Sequence, residues 1–142
     1  MRRCLQLAEE AAACGEVPVG ALVVLDGNIV STASNGPISC CDPTAHAEVL
    51  AMRRAAKALG NYRLPGCTLY SSVEPCLMCA GAMLHARIER LVYGASEPRG
   101  GVESSIPNVL AQMRHIHKLD VVAGILAPEC QALIQSFFRQ RR

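Results

Sequence analysis

Apolar side chains recur at helical spacing in two stretches of the first half of the chain. The first covers residues 3–14 and predicts an amphipathic helix that packs by its apolar face. The second, "AHAEVLAMRRAAKALG", is rich in alanine and ends at Gly60, a residue suited to a left-handed C-cap. Asp42 or Thr44 can cap the start of this second helix.

Three more helices are predicted further along the chain. Pro75 suits the first turn of a helix over 75–86, because proline lacks an N–H that would have no partner there. A short helix is expected over 109–114. The chain closes with "PECQALIQSFFRQRR", which predicts an amphipathic helix. We expect four of its side chains to turn inward: Leu133, Ile134, Phe137 and Phe138.

Short β-branched runs alternate with these helices. The segment "ALVVLDGNIVSTASN" holds two such runs around Asp26-Gly27, a pair that tolerates the positive φ angles of a tight hairpin, so two antiparallel strands are expected. Three further strands are predicted in "CTLYSSV", "RLVYGA" and "DVVAGIL", and residues 96–108, rich in Gly, Pro and Ser, predict a functional loop. This alternation predicts an α/β fold with helices on both faces of one sheet.

Length and composition narrow the class of protein. A chain of 142 residues without repeats or linker-like stretches predicts a single domain over 1–142. No apolar run reaches the roughly 18 to 20 residues that span a bilayer. Glu9, Glu10 and Glu16 interrupt any apolar region of the kind that a secretory signal needs. We therefore expect a cytoplasmic protein with no membrane partner.

The distribution of charge along the chain is more informative about binding partners than the net charge. A formal net charge of +2 is too small to indicate a nucleic-acid partner by itself. However, Arg139, Arg141 and Arg142 supply 3 of the 14 basic residues, so a basic tail follows a nearly neutral body.

Three side chains predict a metal site. The chain holds eight cysteines, which outside secreted proteins favours metal binding or burial over disulfides. Cys76 and Cys79 are three residues apart, so on one helix both sulfurs can face one ion, and His46 offers a third ligand from another helix. Two sulfurs and one nitrogen suit zinc and leave one tetrahedral position for water.

Glu48 could act on a water molecule in that open coordination position. A carboxylate beside metal-activated water can accept its proton and return it to a leaving group. On a regular helix, however, two residues spaced like His46 and Glu48 point about 200° away from each other. Their convergence therefore requires a backbone that is still bending into the helix.

These residues form a known motif. "HAE" at 46–48, followed by "PCLMC" at 75–79, matches the H-x-E…P-C-x-x-C signature of zinc nucleobase deaminases. The similarity continues in "EVPVGALVV", "DPTAHAEVLAMRRA", "NYRL", "TLYSSVEPCLMCAGAMLHARI", "YGA" and "FFRQRR". Over nearly its whole length, the chain resembles the bacterial tRNA-specific adenosine deaminases.

The resemblance implies a fold, a reaction and an assembly. The fold would be a three-layer α/β/α sandwich around a five-stranded mixed sheet, and the protein would be a homodimer. The reaction would convert adenosine to inosine at the wobble position of a tRNA anticodon loop. His46, Cys76 and Cys79 would hold one zinc ion per subunit, and Glu48 would shuttle the proton to ring N1 and then to the departing ammonia.

The resemblance also implies substrate contacts. Asn35 would contact the flipped nucleotide with its amide, and the backbone N–H near Ala47 would polarise the site. At the C-terminus, the ring of Phe138 would meet a base, and Arg139, Arg141 and Arg142 would meet phosphates of the anticodon stem-loop.

The segment after "YGA" departs from the family. Glu97 stands where the family usually has an aspartate that meets the RNA, and Pro98 stiffens the backbone beside it. Pro107 also stands where family members tend to have an apolar residue. We expect these changes to bear on RNA selectivity rather than on deamination.

Three alternatives stay open at this point. The zinc site could be structural, with Cys40, Cys41 or Cys67 as a fourth ligand. The enzyme could instead deaminate a free base or nucleoside of the guanine or cytosine type. The chain could also be a catalytically silent RNA-binding partner.

Overall fold

The described part of the chain contains five strands and five helices. The computed structural model describes residues 1–97, 101 and 116–141. The strands are β1 Gly20–Leu25, β2 Asn28–Ser34, β3 Thr68–Val73, β4 Arg90–Ala95 and β5 Asp120–Val122. The helices are α1 Arg2–Ala13, α2 Pro37–Cys40, α3 Ala47–Leu59, α4 Leu77–Ala86 and α5 Ala127–Arg139. Within these ranges no helix combines the length and the apolar character needed to cross a membrane.

The strands form one mixed sheet in the order β2-β1-β3-β4-β5. The pairs β1/β2 and β1/β3 are antiparallel, whereas β3/β4 and β4/β5 are parallel. Parallel neighbours bring their carboxyl ends to the same edge of the sheet. The segments that follow β3 and β4 therefore emerge side by side, which matters for the site described below.

Helices cover both faces of this sheet, as the alternation of elements predicted. Helix α3 packs on β1, β2 and β3 and contacts α4, while α1 and α5 contact each other on the other face. Between the sheet and the α3/α4 layer lies a core of buried apolar side chains that includes Ala51, Met83 and Leu69. The predicted three-layer α/β/α sandwich with a five-stranded mixed sheet is confirmed.

Two local predictions about turns are also confirmed. Asp26 and Gly27 have φ angles of 50° and 77°, which is the left-handed pair that a two-residue hairpin between β1 and β2 requires. Gly60 ends α3 with a φ of 64°, the left-handed C-cap expected from its lack of a side chain.

The last predicted strand is shorter than expected. The pattern "DVVAGIL" predicted a strand over 120–126, but β5 ends at Val122. Gly124 and Leu126 have φ angles of 83° and 56°, and left-handed backbone does not continue a strand. The predicted helix over 109–114 lies outside the described residues, and of the predicted loop over 96–108 only 96, 97 and 101 are described.

The closing helix buries only part of its predicted apolar face. Phe137 is 8% exposed, and Leu133 and Ile134 are half-buried, but Phe138 is 48% exposed. The expectation that Phe138 turns inward was therefore wrong. Adjacent helical residues differ by about 100° around the axis, so a helix that buries Phe137 turns its neighbour outward.

Ser71 and Ser72 are adjacent buried hydroxyls with opposite hydrogen bonding. Ser72 Oγ accepts the Gly20 N–H at 3.0 Å, whereas Ser71 Oγ has no partner in the described part of the chain. Because an unpaired buried hydroxyl costs about 1–3 kcal/mol, Ser71→Ala should raise the free energy of unfolding by about 1 kcal/mol. Ser72→Ala should lower it, because the Gly20 N–H loses its acceptor. Urea unfolding of both variants checks this pair, and a Ser71→Ala protein less stable than wild type would contradict it.

Candidate metal centre and active site

His46 lies just before α3, in extended backbone. Its φ and ψ are −66° and 146°, so it is the N-cap residue, and the helix begins at Ala47 rather than at the predicted position 45. Asp42 does not cap this helix, because its Oδ1 accepts the backbone N–H and the hydroxyl of Thr44 at 2.8 and 2.7 Å. Thr44 does not cap it either, since α3 has no side-chain cap.

Cys76 occupies the equivalent place before α4. Its φ and ψ of −76° and 173° are extended, and α4 begins at Leu77, not at the predicted Pro75. Cys79 is the third residue of the helix and is fully buried. The site is thus built where two helices start, and their unpaired backbone N–H groups and positive dipole ends favour anionic groups such as thiolates.

His46, Cys76 and Cys79 meet at one point. His46 Nδ1 lies 3.6 Å from Cys76 Sγ and 3.5 Å from Cys79 Sγ, and the two sulfurs are 3.7 Å apart. The three donor atoms all lie within 4.8 Å of one another. Sulfur and imidazole donors at these separations fit the first coordination shell of a tetrahedral zinc ion.

The two sulfurs differ in acidity. Hydrogen bonding with Cys79 and then with His46 lowers the pKa of Cys76 to about 3. The hydrogen bond to Cys76, together with burial, raises the pKa of Cys79 above its ordinary value. The hydrogen bond with Cys76 also raises the pKa of His46. Metal binding would therefore release protons from the site.

Glu48 is a carboxylic acid buried beside the three donors. It is 4% exposed, and its carboxyl lies close enough to His46 and Cys79 to influence their pKa values. Burial raises the pKa of Glu48, while its own backbone N–H and the charge of His46 oppose that rise. The two side chains converge despite their spacing because His46 is extended and only Glu48 is helical.

None of the cysteines proposed as a fourth ligand joins the group. Among the described residues, the cluster that can hold a metal consists of His46, Cys76 and Cys79. Cys67 is buried at the start of β3, and Cys40 and Cys41 are exposed around the end of α2. This arrangement favours a site with three protein ligands over a closed structural one.

Asn35 lies at the end of β2, in a loop attached to the segment that carries His46. Its backbone N–H donates to the Val19 carbonyl at 2.9 Å, and the next N–H, from Gly36, donates to the Ala45 carbonyl at 3.0 Å. Asn35 is half-buried. The backbone thus links the predicted substrate amide to the residue that directly precedes the histidine donor.

Glu74 is a site residue that the sequence patterns did not reveal. It is 3% exposed, and its Oε2 accepts the Glu97 N–H at 2.9 Å. Gly101 pairs with Cys76 in a β-bridge, and a Cβ on Gly101 would collide with the Glu74 carboxylate. Glu74 therefore fastens the segment after β4, including the predicted RNA contact Glu97, to the cysteine segment. Its only sequence signal was its position directly before the "PC" of the motif.

The predicted RNA contacts of the tail lie on α5 and directly after it. Phe138 is exposed and meets the Phe137 ring edge-on, with centroids 5.5 Å apart, and Arg139 is also exposed. Arg141 instead donates to the Gly15 carbonyl at 2.9 Å. Arg142 lies outside the described residues. Helix α5 contacts α1, β3 and β4, on the opposite face of the sheet from α3.

Comparison with known proteins identifies the family. Residues 1–142 match the family described as MafB19-like deaminase. A tRNA-specific adenosine deaminase from Haemophilus influenzae is 48% identical, over 100% of this chain and 83% of that protein. A structure from studies of A-to-I editing by tRNA:A34 deaminases at the wobble position of transfer RNA superimposes with a TM-score of 0.88 at 42% identity, covering 94% of this chain and 96% of that one.

A guanine deaminase from Bacillus subtilis is similar over a smaller part. It superimposes with a TM-score of 0.64 at 45% identity, covering 67% of this chain and 61% of that one. The adenosine deaminase similarity, by contrast, runs through the full length, including both helix starts that carry the site. The chain therefore belongs to the MafB19-like deaminases and, among them, to the family of tRNA-specific adenosine deaminases.

Proposed function

We propose that this protein catalyses the zinc-dependent hydrolytic deamination of adenosine to inosine at the wobble position of a tRNA anticodon loop. One observation carries the proposal: a buried acid, Glu48, lies beside a three-donor metal cluster in a chain whose full-length relatives are named for this reaction. We take residues 1–142 as a single deaminase domain. A cytoplasmic location and a homodimeric assembly are part of the same proposal.

His46, Cys76 and Cys79 are the proposed zinc ligands, through Nδ1 and the two Sγ atoms. Bound there, zinc would supply Lewis acidity that makes water a competent nucleophile near neutral pH. The starts of α3 and α4 hold the three proposed donors close together. One zinc per subunit is expected.

Glu48 is the proposed proton carrier. Its burial raises the pKa of the carboxyl toward the range in which it can both accept and return a proton. We expect it to take the proton of the attacking water, deliver it to N1 of the adenine and later assist the departure of ammonia from C6.

Two groups are proposed to orient the base. The Asn35 amide offers a donor and an acceptor to the extruded nucleotide. Ala47 is the first residue of α3, so its N–H has no partner inside the helix and is free to hydrogen-bond the substrate. An adenine in an anticodon loop is poorly stacked, so extruding it costs less than opening a duplex.

The proposed RNA contacts lie outside the metal cluster. The exposed ring of Phe138 can stack on a base, and the exposed guanidinium of Arg139 can meet a phosphate. Glu97, fixed to Glu74 by its backbone, is the third proposed RNA contact. The partial similarity to a guanine deaminase makes deamination of a free base the second candidate function.

Parallel assays with an RNA and with free bases separate these two functions. Zinc-loaded protein is incubated with an anticodon stem-loop carrying A34, with the same stem-loop carrying G34, and with free guanine, cytidine and adenosine. Inosine should form in the A34 stem-loop, with kcat/KM at least about 100-fold above that for any free compound, because remote contacts contribute binding energy to the reaction. Faster turnover of free guanine would overturn the assignment of RNA as the substrate. Absence of turnover with every compound would overturn the proposal that the protein is a deaminase.

A further inference from the structure

We propose that Arg141 is a positioning residue that clamps the Asn35 loop, and that it does not act as a phosphate ligand. The Asn35 loop is defined here as residues 35–41. The inference rests on the proposed function, in which Asn35 meets the substrate. It concerns a side chain on the far end of the chain that has no direct place in the metal centre.

Glu16 is the buried acid at the centre of the clamp. It is 2% exposed, and its Oε1 accepts the Ser39 N–H at 2.7 Å and the Ser39 hydroxyl at 2.9 Å. Burial opposes ionisation, yet these hydrogen bonds and the charge of Arg141 lower the pKa of Glu16, so it is a carboxylate at neutral pH. Glu16 thus ties the Asn35 loop to the turn that follows α1.

Arg141 holds that turn from the other side. Its Nη2 donates to the Gly15 carbonyl at 2.9 Å, and its guanidinium carbon lies 4.2 Å above the centroid of the Phe137 ring. The positive charge of Arg141 therefore lies against the backbone of Gly15, the residue preceding Glu16. A guanidinium stacked on a ring and bonded to a carbonyl has one face and part of its donor set already in use.

These contacts form a continuous path from the end of α5 to the segment that carries His46. The path runs from Arg141 to Gly15 and Glu16, and from Glu16 to Ser39 in the Asn35 loop. The same loop is bonded through Gly36 to Ala45, next to the histidine donor. Removing the Arg141 contacts should therefore increase the mobility of the backbone that positions the Asn35 amide.

Arg139, the last residue of α5, provides the contrast. It is exposed, and within the described residues its side chain has no hydrogen bond or ion pair. Arg139 is therefore free of such contacts within the described residues, whereas Arg141, although also exposed, uses one face and one donor of its guanidinium on the protein itself.

The clamp is tested on the zinc-loaded full chain with Arg141→Gln, Glu16→Gln and the double variant. Arg2→Gln, which removes an exposed arginine from α1, is the charge-matched control. Amide hydrogen exchange of residues 36–41 should speed up on the order of tenfold in each single variant. The double variant should be little faster than either one, because both changes break one path. The control should exchange like wild type.

Kinetics on the A34 stem-loop separate clamping from phosphate binding. Arg141→Gln should lower kcat about tenfold, as expected from a misplaced substrate contact, and leave the salt dependence of KM unchanged. Arg139→Gln should instead raise KM and reduce the slope of log KM against log salt by about 0.7. The clamp is overturned if Arg141→Gln behaves like Arg139→Gln, or if exchange of residues 36–41 is unchanged. The exchange measurement needs no substrate, so it decides the clamp even if wild-type protein forms no inosine, a result that would sink the proposed function alone.

Discussion

Replacing Glu48 with glutamine should lower kcat on an A34 stem-loop by about 10²- to 10⁴-fold, the usual contribution of a general acid or base. Glutamine keeps the shape of the side chain but cannot accept the proton of water or return it to the base. Zinc content should stay at the wild-type level, since Glu48 is not among the three donors. Single-turnover inosine formation and metal analysis on the same sample measure both effects.

A second carboxylate serves as the control for this experiment. Glu9→Gln removes an exposed acid on α1 and should leave kcat and zinc content unchanged. If Glu48→Gln retained more than about a third of wild-type turnover, proton transfer by Glu48 would have no support, because such a loss is far below the range for this role. If it lost zinc as well, Glu48 would belong to the coordination shell.

Replacing Cys79 with serine should remove both zinc and activity. A serine hydroxyl stays protonated at neutral pH and is a poor ligand for an ion that prefers thiolate here. Affinity should fall by more than about 100-fold, the upper end of the loss seen when only a supporting partner of a ligand is removed. Zinc titration monitored by competition with a chelator gives the affinity directly.

Thermal stability gives an independent measure of this metal loss. Zinc that binds the folded state raises the apparent stability by mass action, so a chelator should lower the melting temperature of wild type but not of Cys79→Ser. Cys67→Ala is the matched control, because Cys67 is also fully buried but is absent from the cluster. A chelator-sensitive Cys79→Ser protein with normal turnover would exclude Cys79 as a ligand.

Hydrophobic periodicity predicted correctly those helices and strands that bury the same face along their whole length. The β1–β2 hairpin and the Gly60 cap followed from local backbone chemistry at Asp26, Gly27 and Gly60. The layers followed from strands that alternate with amphipathic helices. Phe138 was misplaced because hydrophobicity alone does not decide which of two adjacent rings a helix buries.

Boundaries at the site were harder to predict for a physical reason. His46 and Cys76 stand in stretches that favour helix, yet both have extended backbone because they precede the helices as N-cap residues. Only long-range packing of α3 against α4 brings these two positions together. Glu74 and Glu16 were missed for the same reason, since each acts on segments distant in sequence.

Zinc X-ray absorption on fully active protein tests the central claim most directly. We predict one zinc per chain with two sulfur donors at about 2.3 Å and two light donors at about 2.0–2.1 Å, one from His46 and one from solvent. Addition of a substrate-like inhibitor should change only the solvent donor. Full activity in protein without zinc, or a shell closed by four side chains of the protein, would contradict it.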